Sequence, residues 1–172
     1  GNAVCAKLGN PLYPLAYLAL GLAAALTHTL FETAPAIGAS GAINGVVGMF
    51  LVFYPLNAIS CFYSLFVFRF GTFSVSSFWM ILLWFAFDLW GAAQGAAGIA
   101  YWAHIGGFLA GAAIATTLLF TGFVNMDAGE RSLLAILKLQ PEPERRRRRR
   151  PEPREAEEAP SPAADRKSTR LN

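Results

Sequence analysis

Residues 101–123 read YWAHIGGFLAGAAIATTLLFTGF, a stretch with one histidine and no charged residue. A helix that crosses a lipid bilayer needs about 20 mostly apolar residues, so this stretch is long enough to do so. Its glycines, alanines and large apolar residues leave no polar face, which the surface helix of a soluble protein would show. The stretch therefore predicts a transmembrane helix.

Three further segments have the same character, namely Pro11–Leu30, Ala39–Asn57 and Val75–Ala93. Hydrophobic residues make up 55% of the chain and charged residues only 15%. Buried helices of a soluble core are the alternative, but they would require polar faces on at least some segments. We therefore predict an all-α membrane protein with four complete transmembrane helices and the lipid bilayer as a partner.

The basic residues between these segments predict an orientation. Lys7 precedes the first segment, Arg69 lies between the second and third, and Arg131 and Lys138 follow the fourth. The connections 29–38 and 94–100 contain no Lys or Arg. Four spans place every basic residue on one side, which the positive-inside rule makes cytoplasmic.

The last part of the chain differs sharply in composition. From Pro141 it is rich in Pro, Glu and Arg and includes the run Arg145–Arg150. Such a segment cannot bury enough apolar surface to offset its ordering entropy, so we predict a disordered cytoplasmic tail over 126–172. The net charge of +3 is the sum of this tail and a nearly neutral body, and it does not indicate nucleic-acid binding.

Ser40 and His104 are the candidates for chemistry. The second and fourth segments run in the same direction, from outside to inside, and each residue lies near the outer end of its segment. At a rise of about 1.5 Å per residue, both side chains lie at a similar shallow depth. A serine hydroxyl beside an imidazole is the minimum pair for nucleophilic acyl transfer.

Small residues next to both candidates would let the two helices approach closely. Gly41, Gly45 and Gly48 follow Ser40, while Gly107 and Gly111 follow His104 on a strip that begins at Ala103. Small residues at such spacing permit close packing of transmembrane helices. The start of the second helix would also offer free N–H groups to an oxyanion.

Each feature also has an ordinary explanation. A serine at a helix start is usually a cap, and a lone histidine near a membrane surface often only bonds a neighbour. Small-residue strips are common packing devices. No cluster of His, Cys, Asp and Glu has the spacing of metal ligands, so we predict neither a metal nor another cofactor.

Two motifs carry a family resemblance: Gly38-Ala39-Ser40-Gly41-Ala42, and Ala103-His104-Ile105-Gly106-Gly107-Phe108-Leu109-Ala110-Gly111 two segments later. Together they resemble the paired signature of rhomboid intramembrane serine proteases, over roughly residues 1–123. The opening residues, Gly1-Asn2-Ala3 to Leu8-Gly9, resemble the end of that family's second helix.

The resemblance implies a rhomboid-like bundle of six helices, of which this chain would hold four complete ones in a membrane domain over 1–125. The first helix and most of the second, with a His-x-x-x-Asn motif that assists the oxyanion hole, would precede residue 1. We therefore expect this chain alone to be inactive. The implied location is multi-pass, in a bacterial plasma membrane.

The resemblance also implies the roles of individual residues. Ser40 would be the nucleophile and His104 the general base, with Gly38, Gly41, Asn44, Gly107 and Gly111 supporting the oxyanion or the helix packing. Asn44 departs from many relatives, which have an aromatic residue there under the histidine ring. Asp88 could orient His104 as the acid of a catalytic triad would, but because the resemblance implies a dyad without an acid, we interpret Asp88 as a packing or water-facing residue. We interpret His28 and Glu32, which border the outer loop, as solvated.

Three functions compete. The leading one is an intramembrane serine endopeptidase that cleaves single-span or other transmembrane proteins. A catalytically inactive rhomboid-like protein that binds transmembrane clients is the alternative, although it would be free to lose Ser40 or His104. A small transporter would require more polar residues at the bilayer midplane than Asn44 and Asp88.

Overall fold

The structure is a computed structural model that describes residues 1–65, 69–127 and 129–140. These residues form six helices and two strands. In chain order the elements are α1 (Asn2–Leu8), α2 (Leu12–Phe31), α3 (Ser40–Phe53), β1 (Ala58–Leu65), β2 (Arg69–Ser76), α4 (Ser77–Ala93), α5 (Tyr101–Phe120) and α6 (Leu133–Ile136). The disordered tail was predicted to begin at residue 126, but α6 lies within that range and buries Leu134. The part of the predicted tail beyond residue 140 lies outside the described residues.

The prediction of four complete transmembrane helices is wrong in number. Two of the described helices, α2 and α5, are long and apolar enough to cross a membrane, whereas α3 and α4 are apolar but shorter. A helix of 14 residues such as α3 spans about 21 Å, less than the roughly 30 Å of a hydrocarbon core. Its predicted end at Asn57 fails because Pro55 disfavours a helical conformation at Tyr54.

The all-α prediction is wrong in one respect, because a two-stranded antiparallel sheet occupies the connection between α3 and α4. β1 and β2 pair from Ala58 with Ser76 to Leu65 with Arg69. Both strands are rich in aromatic and β-branched residues, which favour extended structure. The pairing takes Val75 and Ser76 into β2, so α4 begins later than the predicted segment.

Helix α3 lies at the centre of the bundle and packs most extensively against α5 and then α2. Its lower half supplies Val46, Met49 and Phe53 to the main core, where they meet Leu20 of α2 and Leu119 of α5. α4 packs mainly on α5. The bundle thus sets the start of α3 beside the start of α5.

Large apolar side chains cover the outside of the bundle. On α2 they form one stripe: Leu15, Leu18, Leu22, Leu26 and Leu30, each more than half exposed. A length and composition like those of α2 also occur in buried helices, but only 17% of its apolar window is buried. An exposed apolar face of this extent indicates contact with lipid rather than with water.

An ion-pair cluster lies at the end of the bundle away from Ser40. The Lys7 ammonium of α1 contacts Asp127 at 2.7 Å and Glu130 at 2.9 Å, both beyond the end of α5. The hydrogen bond from Lys7 and its positive charge hold the pKa of Asp127 below the usual value. After these ion pairs the chain continues into α6, whose Leu134 is buried in the main core.

Candidate active site

Ser40 is the first residue of α3 and follows an exposed loop. Gly38 in this loop has a φ of 132°, a backbone conformation that favours glycine and turns the chain into the helix. The N–H of Ile43 donates to the carbonyl of Ala39 at 3.0 Å, and the N–H groups before it point out of the helix start. Ser40 itself is exposed.

His104 lies in the first turn of α5 and faces Ser40. The distance from His104 Nε2 to Ser40 Oγ is 3.0 Å, which is hydrogen-bonding range. The two residues are 64 positions apart in sequence and come from different helices. The side chain of Ser40 thus bonds an imidazole instead of capping α3, the ordinary role for a serine at a helix start.

Glycines explain how the two helices come close enough for this contact. A Cβ atom on Gly107 would overlap the carbonyl oxygen of Gly41, and one on Gly111 would overlap that of Gly45. Gly41 in turn would place a Cβ 3.2 Å from the carbonyl oxygen of Ala103. The backbones of α3 and α5 therefore touch directly, as the small-residue strips predicted.

Asp88 of α4 bonds the other nitrogen of the same imidazole. Its Oδ1 lies 2.9 Å from His104 Nδ1, and Asp88 is only 5% exposed. The expectation that Asp88 faces water is therefore wrong, and its contact with the neighbouring helix is a hydrogen bond to His104. The signal in the sequence was that Asp88 is the only acidic residue within the four apolar segments.

Asn44 lies one turn into α3 and supports Ser40 through the backbone. Its Nδ2 donates to the carbonyl oxygen of Ser40 at 3.1 Å. A ring contact on His104 comes instead from Tyr101, whose ring meets the imidazole edge-on at a centroid distance of 6.5 Å.

His28 was expected to be solvated, but it is only 7% exposed. Its Nε2 donates to the carbonyl of Ala34 at 2.8 Å and so ties the end of α2 to the loop before Ser40. Glu32 is exposed, and its carboxylate accepts from the N–H groups of Thr33 and Ala34. His28 is buried because this loop folds back over the end of α2.

A cavity of about 320 Å³ opens beside Ser40, between α2 and the loop. Most of its lining is small and apolar, with His28 and Glu32 as the ionisable residues. Within the described ranges, no group of three or more His, Cys, Asp and Glu residues is arranged to hold a metal ion.

Fold and site together define a helical bundle with an exposed apolar surface, of the kind that contacts lipid, and with hydrogen bonds that join a serine, a histidine and an aspartate near one end. The family model described as Rhomboid domain matches residues 1–120, so the chain belongs to the rhomboid family, as its two motifs predicted. Comparisons with curated proteins and with solved structures gave no match. The family is embedded in membranes, and its members are generally serine proteases that act there on transmembrane substrates.

Proposed function

We propose that this protein is an intramembrane serine endopeptidase that cleaves transmembrane protein substrates, with Ser40 as nucleophile and His104 as general base. The observation that carries the proposal is the 3.0 Å distance between Ser40 Oγ and His104 Nε2. A nucleophile and a base within hydrogen-bond reach of each other are the signature of activated-nucleophile chemistry.

In the proposed reaction, Ser40 Oγ attacks the carbonyl carbon of the scissile peptide bond while its proton passes to His104 Nε2. His104 then gives this proton to the leaving amine as the carbon–nitrogen bond breaks. A water molecule then gives a proton to His104 Nε2 while its oxygen attacks the acyl carbon. The bond from this carbon to Ser40 Oγ breaks, His104 returns the proton to Oγ, and the product leaves with a new carboxyl group.

The start of α3 suits the charge that develops in this reaction. The N–H groups of Gly41 and Ala42 precede the first intrahelical bond, at Ile43, so they are free to donate to an oxyanion close to Ser40. The positive end of the helix dipole acts in the same sense. We assign Gly38 to the turn that presents Ser40, and Gly107 and Gly111 to helix packing.

We also propose a location in a bacterial plasma membrane, with the Ser40 end outside and the C-terminal tail in the cytoplasm. The support comes from the ends of the two longest apolar helices: Lys7 precedes α2 and Arg131 and Lys138 follow α5, whereas the connections at their other ends, 29–38 and 94–100, contain no Lys or Arg.

Cysteine labelling of intact cells tests this orientation. With Cys5 and Cys61 replaced by Ser, Gln94→Cys places a thiol in the exposed connection between α4 and α5. An impermeant maleimide should label it in intact cells, whereas Cys61 in a Cys5→Ser background should react only after permeabilisation. The reverse pattern would contradict the orientation.

Cleavage of a single-span reporter protein tests the activity. The protein in its complete natural form should cut the reporter, and Ser40→Ala and His104→Ala should each lower the rate by about 10³-fold or more. Membrane insertion should be unchanged, because both side chains lie at the ends of helices. An intact protein that binds the reporter without cutting it would favour the inactive, client-binding alternative.

A further inference from the structure

We propose that Asp88 is a positioning residue for catalysis: it holds the His104 ring in the tautomer and orientation that Ser40 requires. The inference rests on the proposed function of Ser40 and His104. It extends the pair of Ser40 and His104 to three hydrogen-bonded side chains from three helices. His104 Nε2 lies 3.0 Å from Ser40 Oγ, and His104 Nδ1 lies 2.9 Å from Asp88 Oδ1.

The bonding of Asp88 is directed at the imidazole. Its Oδ1 contacts His104 Nδ1, and its Oδ2 has no hydrogen-bond partner among the described residues. In the part of the chain that the structure describes, His104 is thus the group to which the Asp88 side chain bonds.

The bond between Asp88 and His104 lies between two other contacts of α4 with α5. One turn to the outer side, a Cβ on Gly91 would overlap the ring of Tyr101. One turn to the inner side, the rings of Phe85 and Phe108 stack with centroids 4.3 Å apart. These neighbours hold the Asp88 carboxylate at the level of the imidazole.

The chemistry of the two groups determines the direction of the bond. An ionised carboxylate only accepts hydrogen bonds, so the proton of a neutral His104 lies on Nδ1. Nε2 then has the free lone pair that takes the proton from Ser40. When His104 becomes an imidazolium, the carboxylate beside it stabilises the new positive charge without taking the proton.

Asp88→Asn is the direct test, because it keeps the size of the side chain and removes its charge. An amide can donate to Nδ1 and so stabilise the wrong tautomer of His104. We expect kcat for reporter cleavage to fall by about two to four orders of magnitude, while KM changes less than about threefold. The midpoint of thermal unfolding in detergent should stay close to that of the unchanged protein.

Two further variants separate loss of the Asp88 carboxylate from a general effect of the substitution. Asp88→Glu retains the carboxylate and should keep more of kcat than Asp88→Asn. Asp127→Asn makes the same chemical change at the far end of the bundle, where its partner is Lys7, and should leave kcat unchanged.

The outcomes separate this inference from the proposed function. An active protein whose kcat is unchanged in Asp88→Asn, or falls only in step with its thermal stability, would overturn the role of Asp88 alone. Equal losses in the Asn and Glu variants would also overturn it. If the protein in its complete natural form, without substitutions, neither cleaves the reporter nor reacts at Ser40 with a fluorophosphonate, both the role of Asp88 and the proposed function are overturned.

Discussion

At the scale of single residues, substitution of Asn44 tests how much its hydrogen bond supports Ser40, the proposed nucleophile. Its bond to the Ser40 carbonyl steadies the first turn of α3 but touches neither Ser40 Oγ nor a His104 nitrogen. A hydrogen bond of this kind contributes about 0.5–1.5 kcal/mol. We therefore expect Asn44→Ala to lower kcat by less than about tenfold in the reporter assay.

Thr117→Ala is the matched control for Asn44→Ala. The Thr117 hydroxyl donates to the carbonyl oxygen of Ala113, four residues earlier, at 2.9 Å, but Thr117 lies toward the end of α5 away from His104. The Thr117→Ala variant should therefore leave kcat unchanged. A loss with Asn44→Ala as large as that with Ser40→Ala would show that Asn44 takes part in the chemistry itself.

The sequence predicted Ser40 and His104 as a pair because helix rise and alternating topology bring them to one depth. It offered Asp88 as a partner for His104 only as an alternative, which the implied dyad argued against, since the rotation of α4 about its axis decides where Asp88 points. That rotation follows from contacts such as Gly91 against Tyr101, which no periodicity reveals. The same limit applies to His28, whose burial depends on the path of the loop before Ser40.

At the scale of elements, the contact between α3 and α5 positions the pair. Gly111→Ala would push a methyl group into the backbone carbonyl of Gly45, and neither backbone can yield without separating the helices. Overpacking of this type costs about 1–3 kcal/mol. We expect Gly111→Ala to lower the midpoint of thermal unfolding in detergent and to reduce reporter cleavage.

Gly21→Ala is the matched control for Gly111→Ala. A Cβ on Gly21, in the middle of α2, would meet Ala42 at 3.6 Å, an ordinary contact. Its stability should stay the same or rise slightly, because alanine favours a helix over glycine. If both variants behave alike, the backbone contact of α3 with α5 does not position the site.

Helix existence was predictable from apolar composition, but helix length was not. Hydropathy continues through Tyr54 and Pro55 and resumes before Ser77, so it cannot mark where α3 ends or where β2 gives way to α4. Proline geometry decides the first boundary, and pairing between residues distant in sequence decides the second. A pattern read along one segment carries no information about that pairing.

At the scale of the whole molecule, the bundle has two unlike ends. One end holds Ser40, His104 and Asp88 beside an open cavity of about 320 Å³. The other holds the buried ammonium of Lys7 between Asp127 and Glu130. An apolar surface runs between them. The proposed hydrolysis consumes water, and its site at one end of the bundle would lie within reach of the aqueous phase.

The most direct test of the central claim is covalent labelling of Ser40 by a fluorophosphonate, located by mass spectrometry of the membrane-embedded protein. Ser40 Oγ should bond to phosphorus with loss of fluoride, at a rate that falls sharply in His104→Ala and is lost in Ser40→Ala. Labelling at an equal rate in His104→Ala, or no labelling of the active protein at Ser40, would contradict the assignment of this pair as nucleophile and base.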